Sequence, residues 1–179
     1  AQRGLPVIDA DKLAREVVAR GSEGLSEVVR AFGPEVLDEQ GDLDRKRLAA
    51  RVFSDTDARR TLNAITHPRV QALTGHRIAE LAAAGEPLAC YDVPLLFESG
   101  LEGLLAPVVT VYAPRSAQLA RTCLRDGCTR EEAEARLRAQ LPIEDKRART
   151  DLLIDNSGEL DATLQRADEL LGELCAKLG

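Results

Sequence analysis

The sequence predicts an α/β fold, a mostly parallel sheet covered by helices on both faces. Three observations carry this expectation. Four short apolar runs, Leu5 to Ile8, Leu88 to Val93, Val108 to Tyr112 and Leu152 to Ile154, have the length and composition of strands. Between them, apolar residues recur at helical spacing, as in Leu13, Val17 and Val18, so strands alternate with helices. A chain of 179 residues, 44% hydrophobic and 30% charged, is long enough for one globular domain with a real core and too short for two full-sized ones.

Taken in order, Ala1 to Gly4 reads as the last turn of a helix, with Arg3 favourable at the negative helix end and Gly4 as its C-cap. Leu5-Pro6-Val7-Ile8 follows as a strand ending at Asp9. A buried parallel strand needs neighbours, so an upstream strand and helix are expected before Ala1. Next comes a helical stretch of Asp11 to Ala19, Gly24 to Phe32, Asp44 to Phe53, and Asp55 through Ala84 with a break at His67-Pro68; Gly33-Pro34 and Gly41-Asp42 mark its turns. Its length makes it a helical insertion rather than a simple crossover. After the strand at Leu88 to Val93, a short helical or irregular piece runs through Leu105. Val108 to Tyr112 is β-branched up to its terminal aromatic, the most strand-like run in the chain. Ser116 to Arg125 reads as a helix ended by Gly127. Thr129-Arg130-Glu131-Glu132 is a capping box opening another helix to about Leu141, where Pro142 stops it. Leu152-Leu153-Ile154 is the last strand, Asn156-Ser157-Gly158 a turn, and Glu159 to Leu178 a closing amphipathic helix.

Charge and cysteine usage narrow the function. With 24 Lys and Arg against 30 Asp and Glu, the formal net charge of −6 argues against a general nucleic-acid binder. The longest apolar stretches, such as Leu104 to Ala113, are about half of the roughly 20 residues a membrane span needs, and the chain is read as cytoplasmic. Cys90, Cys123, Cys128 and Cys175 form no C-x-x-C pair, and two histidines do not complete a structural zinc set, so free reduced thiols are expected. A hydrolytic triad is set aside because there is no G-x-S-x-G elbow.

In open α/β sheets ligands sit beyond the carboxyl ends of strands. Val7-Ile8-Asp9-Ala10-Asp11 puts two carboxylates just past a strand. One of them is open to reading as the N-cap of the helix beginning near Lys12, and the pair together points past capping. Asp92 lies in an otherwise apolar run, where a buried carboxylate is expensive unless a metal, a donor or a cation meets it. From Arg121 to Arg149 the chain carries Arg121, Arg125, Arg130, Arg136, Arg138, Lys146, Arg147 and Arg149 against six acidic residues. Arginine clusters clamp phosphates through paired hydrogen bonds. For Arg130, Arg138 and Arg149 a solvated helix face is the better reading. His67 precedes Pro68, whereas His76 lies on an exposed helical turn; neither carries a claim alone.

Together these residues form a pattern. Val7-Ile8-Asp9-Ala10-Asp11, Thr66-His67-Pro68, Asp92-Val93-Pro94-Leu95-Leu96-Phe97-Glu98, Gln118-Leu119-Ala120-Arg121, Arg136 with Gln140, Lys146-Arg147, and Ile154-Asp155-Asn156-Ser157-Gly158 occur in this order along nearly the whole chain. In that order and spacing they resemble the dephospho-coenzyme A kinases. The resemblance implies a three-layer P-loop kinase-like fold with a parallel five-stranded sheet. It implies a nucleotide-binding core of residues 1–11 and 87–179, a lid at about 127–150, and a helical coenzyme A-binding insertion at 12–86. The implied reaction moves the γ-phosphoryl of ATP, with Mg²⁺, to the ribose 3′-hydroxyl of dephospho-coenzyme A, the last step of coenzyme A synthesis.

By the same resemblance Asp11 accepts the hydroxyl proton, Asp9 orders its loop, and Asp92 reaches the metal directly or through water. Arg121 and Arg136 clamp phosphate, Arg147 is a further lid residue, and Asn156 and Gly158 lie against adenine. His67, Leu96, Phe97 and Glu98 shape the acceptor pocket. Arg136 and Arg147 are expected to close over ATP only when it is bound, because eight neighbouring cations repel without an anion between them. Small-molecule substrates are the expected partners, with no nucleic acid or membrane, in a monomer or weak homo-oligomer. The family's G-x-x-x-x-G-K-[ST] loop, which supplies the backbone N–H cradle, the phosphate-binding Lys and the metal-ligating hydroxyl, does not occur in the 179 residues. The first strand, that loop and most of the first helix are therefore expected to be missing, and the chain alone to be inactive. Another small-molecule kinase of the same fold and a non-catalytic coenzyme A-binding fragment are the rival readings.

Overall fold

The computed structural model describes residues 4 to 177, so the helix end expected at Ala1 to Arg3, and Leu178 of the closing helix, lie outside the described residues. The chain divides into two compact units, Ala1–Val93 and Pro94–Gly179.

In the first unit, β1 (Val7–Asp9) pairs in parallel with β2 (Cys90–Asp92), with Val7 opposite Cys90 and Asp9 opposite Asp92. The helices between them are α1 (Ala10–Glu16), α2 (Glu23–Phe32), α3 (Arg45–Ser54) and α4 (Thr56–Ala83). Each begins where a short polar side chain can take up the first free N–H groups. Asp9 accepts from Lys12 N, Ser22 from Leu25 N, Asp44 from Lys46 N and Arg47 N, and Asp55 from Asp57 N and Ala58 N. The core of this unit lies among the helices: Val17, Val18, Val28, Phe32, Val36, Leu48 and Ile65 are buried together, with Leu62, Val70 and Leu73 packed against them. Gly24 serves a close approach, since a Cβ there would collide with the carbonyl oxygen of Val17 and press on Arg69.

The break expected at His67-Pro68 does not occur: α4 runs through Pro68 without interruption. An interior proline removes one helix hydrogen bond and costs about 3 kcal/mol. Here Leu62 and Ile65 before it and Val70 and Leu73 after it pack on the same core, which holds the helix continuous across the defect. Local signals report the cost of the proline and are blind to that packing. Asp92 is also corrected: at the end of a three-residue strand it is exposed rather than buried, so it needs no compensating partner.

In the second unit, β3 (Val109–Tyr112) pairs in parallel with β4 (Leu152–Asp155). The strands are joined through α5 (Arg115–Asp126), α6 (Arg130–Arg138) and α7 (Ile143–Ala148), and α8 (Leu160–Ala176) follows β4. Gly127 ends α5 in the left-handed conformation, φ 60°, which a residue with a Cβ adopts at a cost. The capping box at Thr129 and Glu132 is present. Helix α6 stops at Arg138, short of the expected Leu141, and α7 follows Pro142 where the sequence marks only a stop. Both ladders are parallel, as expected. Among the described residues the strands form two two-stranded ladders, one in each unit.

Candidate active site

Three acidic residues stand at or just past the carboxyl end of the β1–β2 ladder. Asp9 and Asp92 are register partners, and Asp11 stands two residues on, exposed in the first turn of α1. Asp9 is committed to structure: its Oδ1 accepts from Lys12 N at 2.9 Å and its Oδ2 lies 3.7 Å from Lys12 Nζ. The backbone N–H of Lys12, more than the ammonium, holds this carboxyl below the usual carboxylate range. Asp9 is therefore the N-cap, and Asp11 keeps its carboxylate outside that role. Beside this end a cleft of about 290 Å³ is lined by Val7, Asp9, Lys12, Glu16, Arg77 and Glu80 among others, with Arg77 paired to Glu16 and Glu80. His67 is exposed on α4, and His76 Nδ1 lies 3.3 Å from Glu80.

Sequence alone makes 121–149 a cluster of mutually repelling cations, and the structure corrects this. Every one of the eight has a partner. Arg125 and Arg136 share Asp126, Arg130 and Arg138 share Glu134, Arg147 pairs with Glu144 and Arg149 with Glu102. Lys146 pairs with Glu98, and Arg121 Nη1 donates to the carbonyl of Asn156 at 2.8 Å. Carboxylates on the same and neighbouring elements supply the counter-charge before any ligand does. The Arg125 guanidinium, with Arg136 behind it, holds the Asp126 carboxyl below its ordinary value.

Arg121 thus joins α5 to the segment after β4. There Asn156 N donates to Tyr112 O, Thr163 Oγ1 donates to Asn156 Oδ1, and the Ser157 hydroxyl and N–H hold the Asp155 carboxyl low. Gly158 is exposed at the end of this turn. Of the expected acceptor residues in this unit, Leu96 is half-buried and Phe97 is buried beneath the Arg149 guanidinium, 5.1 Å from its ring centre. Glu98 Oε1 accepts from Lys146 Nζ at 2.8 Å and from Leu141 N at 2.9 Å.

Burial would push the Glu98 carboxyl up, but the Lys146 ammonium and the Leu141 N–H together outweigh it and leave its pKa below the ordinary glutamate value of 4.5. A carboxyl whose folded pKa is depressed contributes stability above its unfolded pKa, and loses it as pH falls through the folded value. The thermal stability of the wild type is therefore expected to fall below about pH 4.5. Glu98→Gln should unfold at lower temperature at pH 7 yet lose less on acidification. Parallel melting curves for the two proteins from pH 7 to 3 would exclude this contribution.

The burial of Lys146, and Asp126 and Glu144 as partners of the arginines, are what sequence reading misses. Lys146 is buried and lines a cleft of about 140 Å³ with Arg115, Gln118, Gln140 and Leu141. No local pattern links residues 98 and 146 or 126 and 136, whereas Glu134 and Glu144 were open to a search for opposite charges at helical spacing. The four cysteines are free, and the Cys123 and Cys128 thiols face carbonyls on opposite sides of the Gly127 turn.

Among the described residues no three His, Cys, Asp or Glu side chains are grouped as a metal-binding set, and no helix is long and apolar enough to cross a membrane. A lone carboxylate does suit a hard divalent cation that keeps several waters and takes its other ligands from substrate phosphates. Asp92, exposed at a strand end and, among the described residues, uncommitted to any cap or ion pair, fits that description; Asp9 does not.

The chain is similar to known proteins along most of its length. The family model for dephospho-CoA kinase matches residues 1–162. The chain is 54% identical over 172 residues to the dephospho-CoA kinase of Anaeromyxobacter dehalogenans (strain 2CP-C), covering 96% of this chain and 82% of that protein. It is 44% identical over 167 residues to that of Geobacter sulfurreducens, covering 93% and 85%. Among solved structures it resembles TT1252 from Thermus thermophilus, with a TM-score of 0.81 at 38% identity over 97% of this chain and 86% of the other. It also resembles the dephospho-CoA kinase from Campylobacter jejuni, with a TM-score of 0.71 at 29% identity and the same coverage.

Proposed function

The chain belongs to the dephospho-CoA kinase family, and from that premise we propose which of its residues carry the family reaction. The reaction is ATP-dependent phosphorylation of the ribose 3′-hydroxyl of dephospho-coenzyme A, the final step of coenzyme A synthesis. Such transfer needs an oriented hydroxyl, an acceptor for its proton, and positive charge over the migrating phosphoryl group. The observation that carries the assignment is the division of labour at the β1–β2 end. Asp9 is spent on capping α1, which fixes Asp11 in the first turn with its carboxylate exposed, while Asp92 stands opposite Asp9 in the ladder.

In this reading the Asp11 carboxylate takes the 3′-hydroxyl proton as the hydroxyl oxygen bonds to the γ-phosphorus and the bond to the ADP oxygen breaks. Asp92 would hold the divalent metal, Mg²⁺, directly or through water; when bound, the metal neutralises charge on the phosphate oxygens. Arg121, Arg136 and Arg147 provide cations for phosphate, each exchanging a present partner for it: Asn156 O, Asp126 and Glu144. Asn156 and Gly158 border adenine, and His67, Leu96, Phe97 and Glu98 shape the acceptor pocket. The helical residues 12–86 form the acceptor-binding part, and residues 1–11 with 87–179 the nucleotide-binding part. The finer architecture, a five-stranded sheet with a G-x-x-x-x-G-K-[ST] phosphate loop, belongs to this proposal too. That loop is not among the 179 residues.

The test is direct. A form of the enzyme that carries a phosphate loop is given ATP, Mg²⁺ and a panel of acceptors, and phosphoryl transfer is followed by mass. Transfer to dephospho-coenzyme A in strong preference to nucleosides and other small alcohols is expected. Equal turnover of an unrelated acceptor, or none of dephospho-coenzyme A, would overturn the substrate assignment.

A further inference from the structure

A lysine ammonium is compact and strongly hydrated, so burying it is costly unless a carboxylate and further acceptors replace the lost water. Among the described residues Lys146 is the one charged residue that is buried, at 8% exposure. Its Nζ lies 2.8 Å from Glu98 Oε1 and 3.4 Å from the carbonyl of Pro94. The same carboxylate oxygen accepts the N–H of Leu141, just ahead of α7. One carboxylate thus fastens both the start of α7 and its fourth residue to the segment 94–98.

Neighbouring contacts reinforce the attachment. Arg149 pairs with Glu102 and lies over Phe97. Glu144 accepts from the Tyr112 hydroxyl at 2.9 Å, and Arg147 lies over the Tyr112 ring. Helix α6 is held differently. Its polar contacts run within itself and to α5, through the capping box, Glu134 and the Arg136–Asp126 pair. At one end it meets the left-handed Gly127, and at the other the non-helical residues just before the Leu141 anchor.

We propose that Lys146 is a positioning residue: with Glu98 it fixes the foot of the nucleotide lid at Leu141, so that α6 moves between pivots at Gly127 and residues 139–140 while α7 stays attached. This rests on the kinase reading, and it narrows the moving lid from 127–150 to about 127–140. Arg136 then leaves Asp126 for phosphate when α6 moves, whereas Arg147 sits on the fixed side. Gln140, last before the anchor, is carried by a pivot whose far end is held in place.

Hydrogen exchange of the wild-type protein tests the boundary without any substitution. Amides of 143–149 are expected to exchange at least about tenfold more slowly than those of 130–138; equal rates would overturn the proposal. Lys146→Met removes the cation and keeps most of the stem, and should bring 141–149 close to the rate of 130–138. Lys146→Arg, which keeps the cation, should restore protection. In a form that carries a phosphate loop, Lys146→Met should raise KM for ATP about tenfold, equivalent to about 1.4 kcal/mol, raise KM for the acceptor less, by about two- to threefold because its partner Glu98 borders the acceptor pocket, and be rescued by Lys146→Arg. A merely structural role would move both KM values together or leave both alone, and either result overturns the proposal. If Lys146→Met does not fold, the wild-type exchange contrast and the Arg variant still decide. If that form transfers no phosphoryl group, the kinase reading fails, and the exchange contrast judges the anchor by itself.

Discussion

Replacing Asp11 by Asn is expected to lower kcat for phosphoryl transfer by about 10²- to 10⁴-fold, the range over which a positioned general base acts. Asn keeps the size of the side chain and can still hydrogen-bond the 3′-hydroxyl, but it cannot accept the proton. Acceptor binding should therefore hold within about threefold, because a group that acts mainly in the transition state appears in kcat rather than in ground-state affinity. Asp11 sits in the first turn of a helix whose N-cap is Asp9, so the substitution spares the cap and should leave melting unchanged. Initial rates at saturating ATP, with calorimetric titration of dephospho-coenzyme A, separate the two effects. A kcat within twofold of wild type would remove Asp11 from the mechanism.

The largest expected stability effect lies in the helical part of the first unit. Phe32, 4% exposed, closes the core formed with Val17, Val28, Val36, Leu48 and Ile65. Arg51 crosses its ring at 5.7 Å and donates to its carbonyl at 2.6 Å. Phe32→Ala removes the ring from a site whose walls are helices α2, α3 and α4, which cannot collapse fully around the space. Buried Phe→Ala changes cost about 3–5 kcal/mol, and for a unit of this size that lowers the melting temperature by roughly 10 °C or more. Exposed Phe53 is the control, since Phe53→Ala leaves no cavity and should shift melting little. Equal losses from the two would mean that the helical core is not what holds this unit.

Legibility of the site followed the same division as legibility of the fold. The order of the motif residues marked the β1 end, Arg121, Arg136 and Asn156 as candidates; the β1 end and Asn156 lie at element boundaries that the sequence announces, whereas Arg121 and Arg136 lie within α5 and α6. Which cations face which acids was not visible: Arg136 meets Asp126 and Lys146 meets Glu98 only because α5, α6, α7 and the segment 94–98 fold against one another. Glu98, marked as an acceptor-pocket residue, is engaged by Lys146 and Leu141, a partnership no spacing rule suggests.

By itself the sequence determined the local events. The Thr129–Glu132 box, the Gly127 stop and an acidic N-cap before α1 are each decided within three or four residues, where backbone N–H groups meet the nearest side chain. The alternation of strands and helices shows in apolar spacing, and the sequence leaves open which of Asp9 and Asp11 is the cap. Tertiary structure decided the rest. Helix α4 passes through Pro68 because packing on both sides outweighs one lost hydrogen bond, and Asp92 is exposed because its strand ends there. A lysine that reads as one more surface cation becomes a buried anchor because a carboxylate from a distant part of the chain meets it. Burial and long-range pairing are properties of neighbours in space, and the sequence lists only neighbours along the chain.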